Sequence, residues 1–409
     1  MTEVGPPSWT LTTLGELCAK SGGSVQTGPF GSQLHASDYV IDGIPSVMPQ
    51  NIGDNVISEL DIARIRESDA LRLAKYRLRP GDIVYSRRGD VEKRALVRDH
   101  QDGWLCGTGC LRVRFEDGAT DAAFISYLLG TEDARAWIVR HAVGATMPNL
   151  NTSILSSVPL RVPVLSKQRA IAEVLGALDD KIAANRRASG LAAELARVHF
   201  DAVRATDGYV VSIREIAVLI TRGIAPQYTD GDGLIVLNQK CIRGQSVSLE
   251  SSRITAHGRV RGEKCLRRND VLVNSTGYGT LGRTARWIRP EDATVDSHLS
   301  IVRFDGALVD PVVAGYAVLG QEAHIEGLAE GSTGQTELSR SQLGWVPLNL
   351  PPRAAQLNLS ALLDGIDQTR VALDVENRSL ATLRDTLLPQ LMSRKLRVKD
   401  AEKQLEDVV

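Results

Sequence analysis

The chain has 409 residues, 43% hydrophobic and 24% charged, which is ordinary for a globular protein of two or three domains. Its 48 Lys and Arg balance 49 Asp and Glu, so any surface that binds nucleic acid must be local. Five cysteines without a Cys-x-x-Cys pair argue against a disulfide framework and against a zinc site. No stretch has the pattern of a secretory signal or the length of a membrane span, which predicts a cytoplasmic protein.

The first 160 residues predict a mixed α/β module. Cys106 and Cys110 are expected to be buried small apolar residues, because free cysteines pack as such. The alternation in 111–115 predicts a strand whose arginine face, Arg112 and Arg114, is exposed. The other predicted elements are a strand and helix over 9–19, a glycine-rich loop over 27–32, a short buried strand over 43–52, a turn and strand over 78–85, and helical spacing over 124–137.

A long helix-forming stretch follows this module, and its beginning occurs twice in the chain. Pro163 and Gln168 are followed by Leu175, Leu178 and Asp179, and then by a run rich in Ala, Arg and Glu. The same order returns 188 positions later at Pro351, Gln356, Leu363, Ile366 and Asp367. Because solenoid repeats are about 20 to 50 residues long, this spacing indicates a duplicated domain followed by a helix.

Matches between these points extend the duplication over the whole chain. Asp82 and Asp270 each precede a β-branched run and lie 188 residues apart, as do Val158-Pro159 and Val346-Pro347. We therefore expect two similar α/β globular domains and two long helices. The predicted division is 1–162 for the first domain, 163–207 for the first spacer helix, 208–350 for the second domain, and 351–409 for the second spacer helix and tail.

The two helices carry apolar seams that need partners. The first has Leu175, Leu178 and Ile182 and then shifts phase to Leu191, Leu195 and Val198. The expected arrangement is an antiparallel pair with a coiled-coil-like seam; the alternative is that each helix lies only on its own domain. The seam of the second helix comprises Leu359, Leu362, Ile366, Thr369, Leu373, Glu376, Leu380, Leu383 and Leu387, with Leu363 beside it.

No catalytic constellation is evident in the sequence. Gly277, Gly279 and Gly282 match the dinucleotide pattern GxGxxG, but the alternating residues that follow predict a strand where that fold needs a helix. A glycine-rich hairpin loop is therefore expected. His298 follows Asp296 and Ser297, which predicts a histidine at the end of a strand and not a triad. The chain is thus predicted to be no enzyme, with no metal site and no cofactor.

Positive charge concentrates at matching places in the two halves. Residues 61–100 hold eleven Lys and Arg against seven Asp and Glu, and residues 253–289 hold nine against two. Such matched patches suit double-stranded DNA, although charged runs are often only solvated loops. The amides at 50–51 and 238–239 either contact adenine edges or cap strand ends. The DNA-contact candidates are Gln50, Asn51, Arg87, Arg88, Lys93, Arg94, Gln239, Lys240, Arg243, Arg267, Arg283 and Arg286.

Together these motifs resemble the specificity (S) subunits of type I restriction–modification systems. The resemblance depends on the loop 27–32 with 43–45 and 50–52, on the strands around Asp82 and Asp270, on the two helix beginnings, and on the stretch 383–393. Two departures lie in the second module, which has Leu357-Asn358-Leu359 at the helix beginning and Thr221–Pro226 in place of the Gly-Pro-Phe-Gly-Ser loop. The second departure suggests that the second module recognises another DNA sequence.

The resemblance implies two target recognition domains that each bind one half of a bipartite, non-palindromic DNA site. It implies helices that space the domains and dock methyltransferase subunits, expected to be two, with restriction and motor subunits joining for cleavage. S-adenosylmethionine, ATP and Mg²⁺ would then belong to the partner subunits. Two other hypotheses stay open: a coiled-coil scaffold or other DNA-binding protein without these partners, and a stand-alone enzyme that uses the loop around Gly279.

Overall fold

The computed structural model describes residues 9–116, 118–144, 148–205, 208–260, 262–277, 279–330 and 336–406. The chain forms two compact units: unit 1 is residues 1–182 with 379–409, and unit 2 is residues 183–378. Tyr278, Arg261 and residues 145–147, which belong to motifs considered above, lie outside the described ranges. Within those ranges, no helix combines the length and the apolar character needed to cross a lipid bilayer.

Unit 1 is built on a five-stranded sheet of order β2-β10-β7-β8-β5 and a four-stranded sheet of order β3-β6-β4-β9, with β1 paired to β11. The strands are β1 (Thr10–Thr13), β2 (Ser24–Thr27), β3 (Tyr39–Val40), β4 (Ile44–Val47), β5 (Asp54–Asn55), β6 (Ala63–Ile65), β7 (Ile83–Ser86), β8 (Arg94–Leu96), β9 (Leu105–Cys106), β10 (Cys110–Arg114) and β11 (Pro159–Val162). The helices are α1 (Leu14–Lys20), α2 (Glu67–Arg72), α3 (Ala122–Leu129), α4 (Glu132–His141), α5 (Thr152–Ser156) and the start of α6 (Leu165–Arg204).

Unit 2 repeats this plan with a four-stranded sheet of order β13-β21-β18-β19 and a three-stranded sheet of order β17-β14-β20. Its strands are β12 (Tyr209–Ser212), β13 (Ala217–Arg222), β14 (Leu234–Leu237), β15 (Ile242–Arg243), β16 (Ser246–Val247), β17 (Arg253–Thr255), β18 (Val271–Asn274), β19 (Thr284–Arg286), β20 (Ala293–Val295), β21 (Leu299–Phe304) and β22 (Pro347–Leu350). Its helices are α7 (Ile213–Ile216), α8 (Pro311–Leu319), α9 (Glu322–Gly327) and α10 (Arg340–Gly344).

The two long helices, α6 and α11 (Arg353–Met392), have 40 residues each and begin 188 positions apart. A short helix, α12 (Val398–Glu406), follows. In unit 1, Leu175 and Leu178 of α6 share one apolar core with Leu380 and Leu387 of α11. In unit 2, Asn185 Nδ2 donates to Glu376 Oε2 at 2.9 Å, and nearer the other end of each helix segment Phe200 shares a core with Leu359. The helices are therefore packed antiparallel, as predicted, and the mixed α/β fold class is confirmed.

The predicted seam of the first helix is wrong beyond Ile182. Leu191, Leu195 and Val198 are 66%, 50% and 64% exposed, whereas Ala196 and Phe200 are the buried residues of this segment. In the second helix Leu363, Leu380 and Leu387 are buried, Ile366, Leu373 and Leu383 are half-buried, and Leu362 is 43% exposed. The packed face thus drifts along each helix, because 3.6 residues per turn do not match a strict heptad.

The prediction of an exposed arginine face on β10 is also wrong. Strand β10 lies between β2 and β7, so both its faces are covered. Arg114 forms two bonds to Asp82, from Nε to Oδ1 at 2.7 Å and from Nη2 to Oδ2 at 2.6 Å. Arg112 donates to Gln26 Oε1 at 2.7 Å. Charged side chains are buried there because each finds a partner, which alternation in sequence does not reveal.

Other local predictions hold. Cys106 and Cys110 are buried, and burial raises the pKa of the Cys106 thiol to about 12. The glycine-rich stretch after β18 connects it to the antiparallel strand β19, so it is a hairpin loop with no helix of a nucleotide fold. The helical spacing over 124–137 corresponds to two helices that break at Gly130, where a Cβ would lie 1.8 Å from Arg94 Nη2.

Candidate nucleic-acid interface

One end of the main sheet in unit 1 gathers loops that lie far apart in sequence. We call residues 27–30, 48–51, 86–89, 107–109 and 143–149 loop cluster 1, of which 145–147 are not described. Backbone bonds hold these loops together: Arg87 N donates to Gly109 O at 2.8 Å and Leu150 N to Arg87 O at 2.8 Å. Because the bonds are made by the backbone, the side chains at these positions are not needed to hold the loops.

Unit 2 has the same backbone arrangement at equivalent positions. We call residues 222–224, 238–241, 275–282, 296–298 and 330–338 loop cluster 2, of which 278 and 331–335 are not described. Ser275 N donates to His298 O at 2.9 Å and Leu338 N to Ser275 O at 2.9 Å. These bonds match those of Arg87 and Leu150 at a shift of 188 residues. The two clusters therefore share one backbone frame and differ in side chains.

A glycine fixes the first loop of each cluster. A Cβ on Gly28 would lie 2.1 Å from Gly107 O, and a Cβ on Gly223 would lie 2.1 Å from Asp296 O. Since real Cβ atoms do not approach an oxygen so closely, both positions require glycine. Thr221–Pro226 thus occupies the place of the Gly-Pro-Phe-Gly-Ser loop, and the sequence departure noted above is a change of side chains on a common turn.

Cluster 1 presents arginine and an amide. Arg88 and Gln50 are exposed, and the Arg87 guanidinium lies 5.7 Å from the Phe30 ring centroid in a cation–π geometry. Lys93 is exposed in the β7–β8 turn, where its Nζ pairs with Asp90 Oδ2 at 3.1 Å. These groups place positive charge and hydrogen-bond donors at one end of unit 1, as a phosphate-contacting surface requires.

Cluster 2 obtains its polar groups from other loops. Arg222 Nη2 donates to Leu338 O at 2.7 Å and pairs with Glu337 Oε1 at 2.8 Å, and Arg222 Nη1 donates to Ser297 O at 3.2 Å. Gln239 Nε2 donates to Thr276 Oγ1 at 2.8 Å, whose other neighbour is His298 Nδ1 at 2.8 Å. Burial raises the pKa of Asp296, which accepts from His298 N.

The remaining sequence candidates divide into two groups. Lys240 is exposed in cluster 2, and Arg283 Nη2 donates to Gly279 O at 3.0 Å in the same loop. Arg267 is exposed but precedes β18, at the strand end opposite to Ser275, so the structure does not bring it to the cluster. Arg243 is exposed in β15, outside the cluster residues.

Three candidates serve their own unit. Asn51 is 1% exposed, accepts from Met48 N at 3.1 Å and donates to Ser58 O at 3.2 Å, which is the capping alternative. Arg94 and Arg286 are also buried. Arg94 donates to Asp54 Oδ1 and Ser126 O, and Arg286 pairs with Asp367 of α11.

Sequence reasoning missed Arg222 and His298 as members of the site. Arg222 belongs to the second module's glycine turn, and His298 was taken only as a strand-end residue. The 188-residue register already aligned Gly28 with the region of Gly223 and Gly109 with that of His298, so alignment of the two halves residue by residue would have found both.

Buried carboxylates join each module to its helices. Asp179 of α6 accepts from Tyr127 Oη at 2.6 Å and pairs with Arg384 of α11 at 2.8 Å. Asp367 of α11 accepts from Tyr316 Oη at 3.0 Å. The repeated glutamines cap α3 and α8: Gln168 accepts from Asp121 N and Gln356 from Asp310 N, both at 3.0 Å. The residues of the two helix beginnings therefore fix module to helix.

No catalytic or metal constellation accompanies these loops in the described part of the chain. Among those residues, no three His, Cys, Asp or Glu side chains are arranged to hold a metal ion. The surfaces offer cationic and amide groups on rigid loops, an arrangement that binds an anionic polymer.

Comparison with known proteins agrees with this chemistry. A family model described as type I restriction modification DNA specificity domain matches residues 7–189. The specificity subunit of the type I restriction enzyme MjaVIII from Methanocaldococcus jannaschii is 23% identical over 191 residues, 45% of this chain and 43% of that protein. That of HindI from Haemophilus influenzae is 25% identical over 199 residues, 44% of this chain and 43% of that protein. Each alignment thus spans less than half of the relative.

A solved structure extends the likeness to the second half. The crystal structure of the type I restriction–modification S subunit from M. genitalium aligns over 96% of this chain and 98% of that chain, with a TM-score of 0.54 and 15% identity. At that identity the likeness shows a shared fold: two β-rich domains and two long antiparallel helices.

Proposed function

Since this chain belongs to the family of type I restriction–modification specificity subunits, we propose that each unit binds one half of a bipartite, non-palindromic DNA site through its loop cluster. The observation that carries the proposal is the common backbone frame with different side chains at its tip. One chain with two unlike modules of one design suits a site with two unlike halves, as two identical modules suit a palindrome.

The proposed DNA contacts are the exposed polar groups of the clusters. Arginines and lysines on loops neutralise phosphates, and amides bond to base edges in the major groove. Asn51, Arg94 and Arg286 are left out because they are buried and bonded within their own units. The proposed set is Gln50, Arg87, Arg88 and Lys93 in unit 1 and Arg222, Gln239, Lys240 and Arg283 in unit 2, with Arg243 and Arg267 as outlying phosphate contacts.

The family is non-catalytic and carries no cofactor, so the chemistry belongs to other subunits. We place methyltransferase subunits, two per chain, on the long helices, and restriction and motor subunits on the assembled complex. S-adenosylmethionine, ATP and Mg²⁺ would be bound by those partners. The exposed apolar stripe Leu191, Leu195 and Val198 supports helix docking, because the structure leaves it uncovered in unit 2.

The helices are proposed to set the gap between the two half-sites. At 1.5 Å per residue, 40 residues extend over about 60 Å, nearly two turns of B-DNA. Insertion of about one helical turn after Ser166 should change the preferred gap and leave both half-site sequences unchanged. A gap that stays fixed while the half-sites change would contradict the spacer role.

The proposal is tested by selection from random duplexes with the full-length chain, alone and co-expressed with the methyltransferase subunits of its own system. We expect two short sequence motifs at a fixed gap, with binding that weakens as salt increases. Sequencing of methylated adenines in a host that carries the complete system gives an independent measure of the same site. Recovery of no motif in either experiment would favour the scaffold hypothesis.

A further inference from the structure

Loop cluster 2 holds an exposed histidine at a position where cluster 1 has no side chain. The carbonyl of His298 accepts from Ser275 N, as that of Gly109 accepts from Arg87 N. His298 thus occupies the frame position of Gly109, at the turn between β20 and β21. The ring is added to the common frame, and nothing in the backbone of this turn requires it.

Hydrogen bonds behind the ring determine which nitrogen carries the proton. The Thr276 carbonyl can only accept, so the Gln239 atom bonded to it is the amide nitrogen. The same nitrogen donates to Thr276 Oγ1 at 2.8 Å. The hydroxyl therefore has its own proton available for His298 Nδ1, 2.8 Å away. In the neutral ring, Nδ1 is then the acceptor and Nε2 carries the hydrogen.

The backbone around the ring is fixed as well. His298 N donates to Asp296 Oδ1 at 2.9 Å, and Arg222 holds the carbonyl of Ser297 at 3.2 Å. Asp296 is 5% exposed, while His298 is exposed. A side chain that is accessible yet held from behind loses little conformational freedom on binding, which favours a specific contact over a general electrostatic one.

We propose that His298 is a specificity-determining residue of unit 2, whose Nε2–H donates to N7 of a purine in the major groove. This rests on the proposed function. A single donor contacts N7, the acceptor that adenine and guanine both present at the same groove position, so His298 distinguishes purine from pyrimidine and does not distinguish A from G. Gln239 and Thr276 are positioning residues for the ring.

The first experiment compares the selected motifs of the wild-type chain and His298→Ala, each with its methyltransferase subunits. We expect one position of one half-site to lose a purine preference of about tenfold, with the other half-site unchanged. His298→Asn, which keeps a side-chain donor, should retain part of the preference. His257→Ala, an exposed histidine of the same unit outside the cluster, is the matched control and should change nothing.

The second experiment identifies the atom. Replacement of the purine at that position by its 7-deaza analogue removes N7 and should weaken wild-type binding about tenfold while leaving His298→Ala unaffected. Thr276→Val should reduce this sensitivity, because the ring loses its support. A 7-deaza base that costs the wild type nothing, or a His298→Ala loss spread over the whole half-site, overturns the inference. If the wild-type chain selects no motif at all, the proposed function fails instead.

Discussion

The two units use the same buried aspartate to hold their helices but obtain its positive partner from different places. In unit 1 the guanidinium at Asp179 comes from Arg384 of α11. In unit 2 the guanidinium at Asp367 comes from Arg286 of β19, supported by Arg370. Each aspartate also accepts from a tyrosine hydroxyl, and burial raises the pKa of both phenols, so they remain donors.

The exchange is reciprocal in the 188-residue register. The counterpart of Arg286 in unit 1 is Leu96, since both lie one strand position from the matched alanines Ala95 and Ala285. The counterpart of Arg384 in α6 is Ala196, which is buried. One unit therefore combines a leucine on the sheet with an arginine on the helix, and the other an arginine on the sheet with an alanine on the helix. The carboxylate needs a cation, and the fold allows it to come from either side.

The largest effect should come from a charge placed in the helix core. Leu380 is fully buried in the core of unit 1, whereas Leu195 is 50% exposed in unit 2. Leu380→Asp should lower the free energy of unfolding by about 4–5 kcal/mol, since a buried unpaired charge is among the most costly changes. Leu195→Asp should alter it by about 0.5 kcal/mol or less and instead weaken capture of the methyltransferase subunit. Chemical denaturation and co-purification measure the two; equal destabilisation would show that the stripe is packed.

The next effect compares the two aspartates. Asp367→Asn leaves Arg286, whose side chain is 3% exposed, without a carboxylate, and should cost about 3–5 kcal/mol. Asp179→Asn should cost less, because Arg384 still pairs with Asp385 at 2.8 Å and Asp54 at 3.2 Å. Denaturation curves of the two variants test the order, which an equal or reversed loss would contradict.

A control for this pair is available in the sheet. Asp82 and Asp270 are each 1% exposed and form matching two-bond pairs with Arg114 and Arg303, whose side chains are each 11% exposed. The two Asp→Asn variants should therefore lose nearly equal stability. A large difference between them would mean that the units respond differently to any lost ion pair, and not because of the source of the cation.

A smaller effect concerns the loop clusters. Arg88→Ala removes a cation that unit 2 lacks, because its counterpart there is Thr276. If Arg88 contacts a phosphate, the slope of log affinity against log salt should fall by about 1, with the selected sequence unchanged. Titrations at several salt concentrations measure the slope. Arg397→Ala, an 86% exposed arginine in the turn between α11 and α12, is the control and should leave the slope unchanged.

The smallest effect is a pH dependence confined to unit 2. Burial raises the pKa of Asp296 in the folded state, so the unfolded chain releases this proton at lower pH. Stability is therefore lost as the pH rises from about 4, the pKa of an unfolded aspartate, through the raised value. Asp296→Asn should remove that loss and gain relative to wild type as the pH rises to 7. Unfolding curves across this range test the sign; a constant difference contradicts it.

The sequence by itself determined the architecture and the duplication. The 188-residue register predicts two α/β modules and two long helices, because residues such as Gln168 and Gln356 recur in identical roles: each caps a helix and bonds its own helix beginning. The glycine-rich stretch after β18 was likewise identified as a hairpin loop. Local chemistry fixes such features, so short motifs reveal them.

Only the tertiary structure decided which polar residues are available for a partner. Arg94, Arg286 and Asn51 resemble Arg88 and Gln50 in sequence, yet the first three are buried and bonded within their units. The same holds for Leu191, Leu195 and Val198, whose pattern predicts a packed seam and which the structure leaves exposed. Burial depends on which strand or helix comes to lie beside a residue from far along the chain, and that neighbour has no trace in the local pattern.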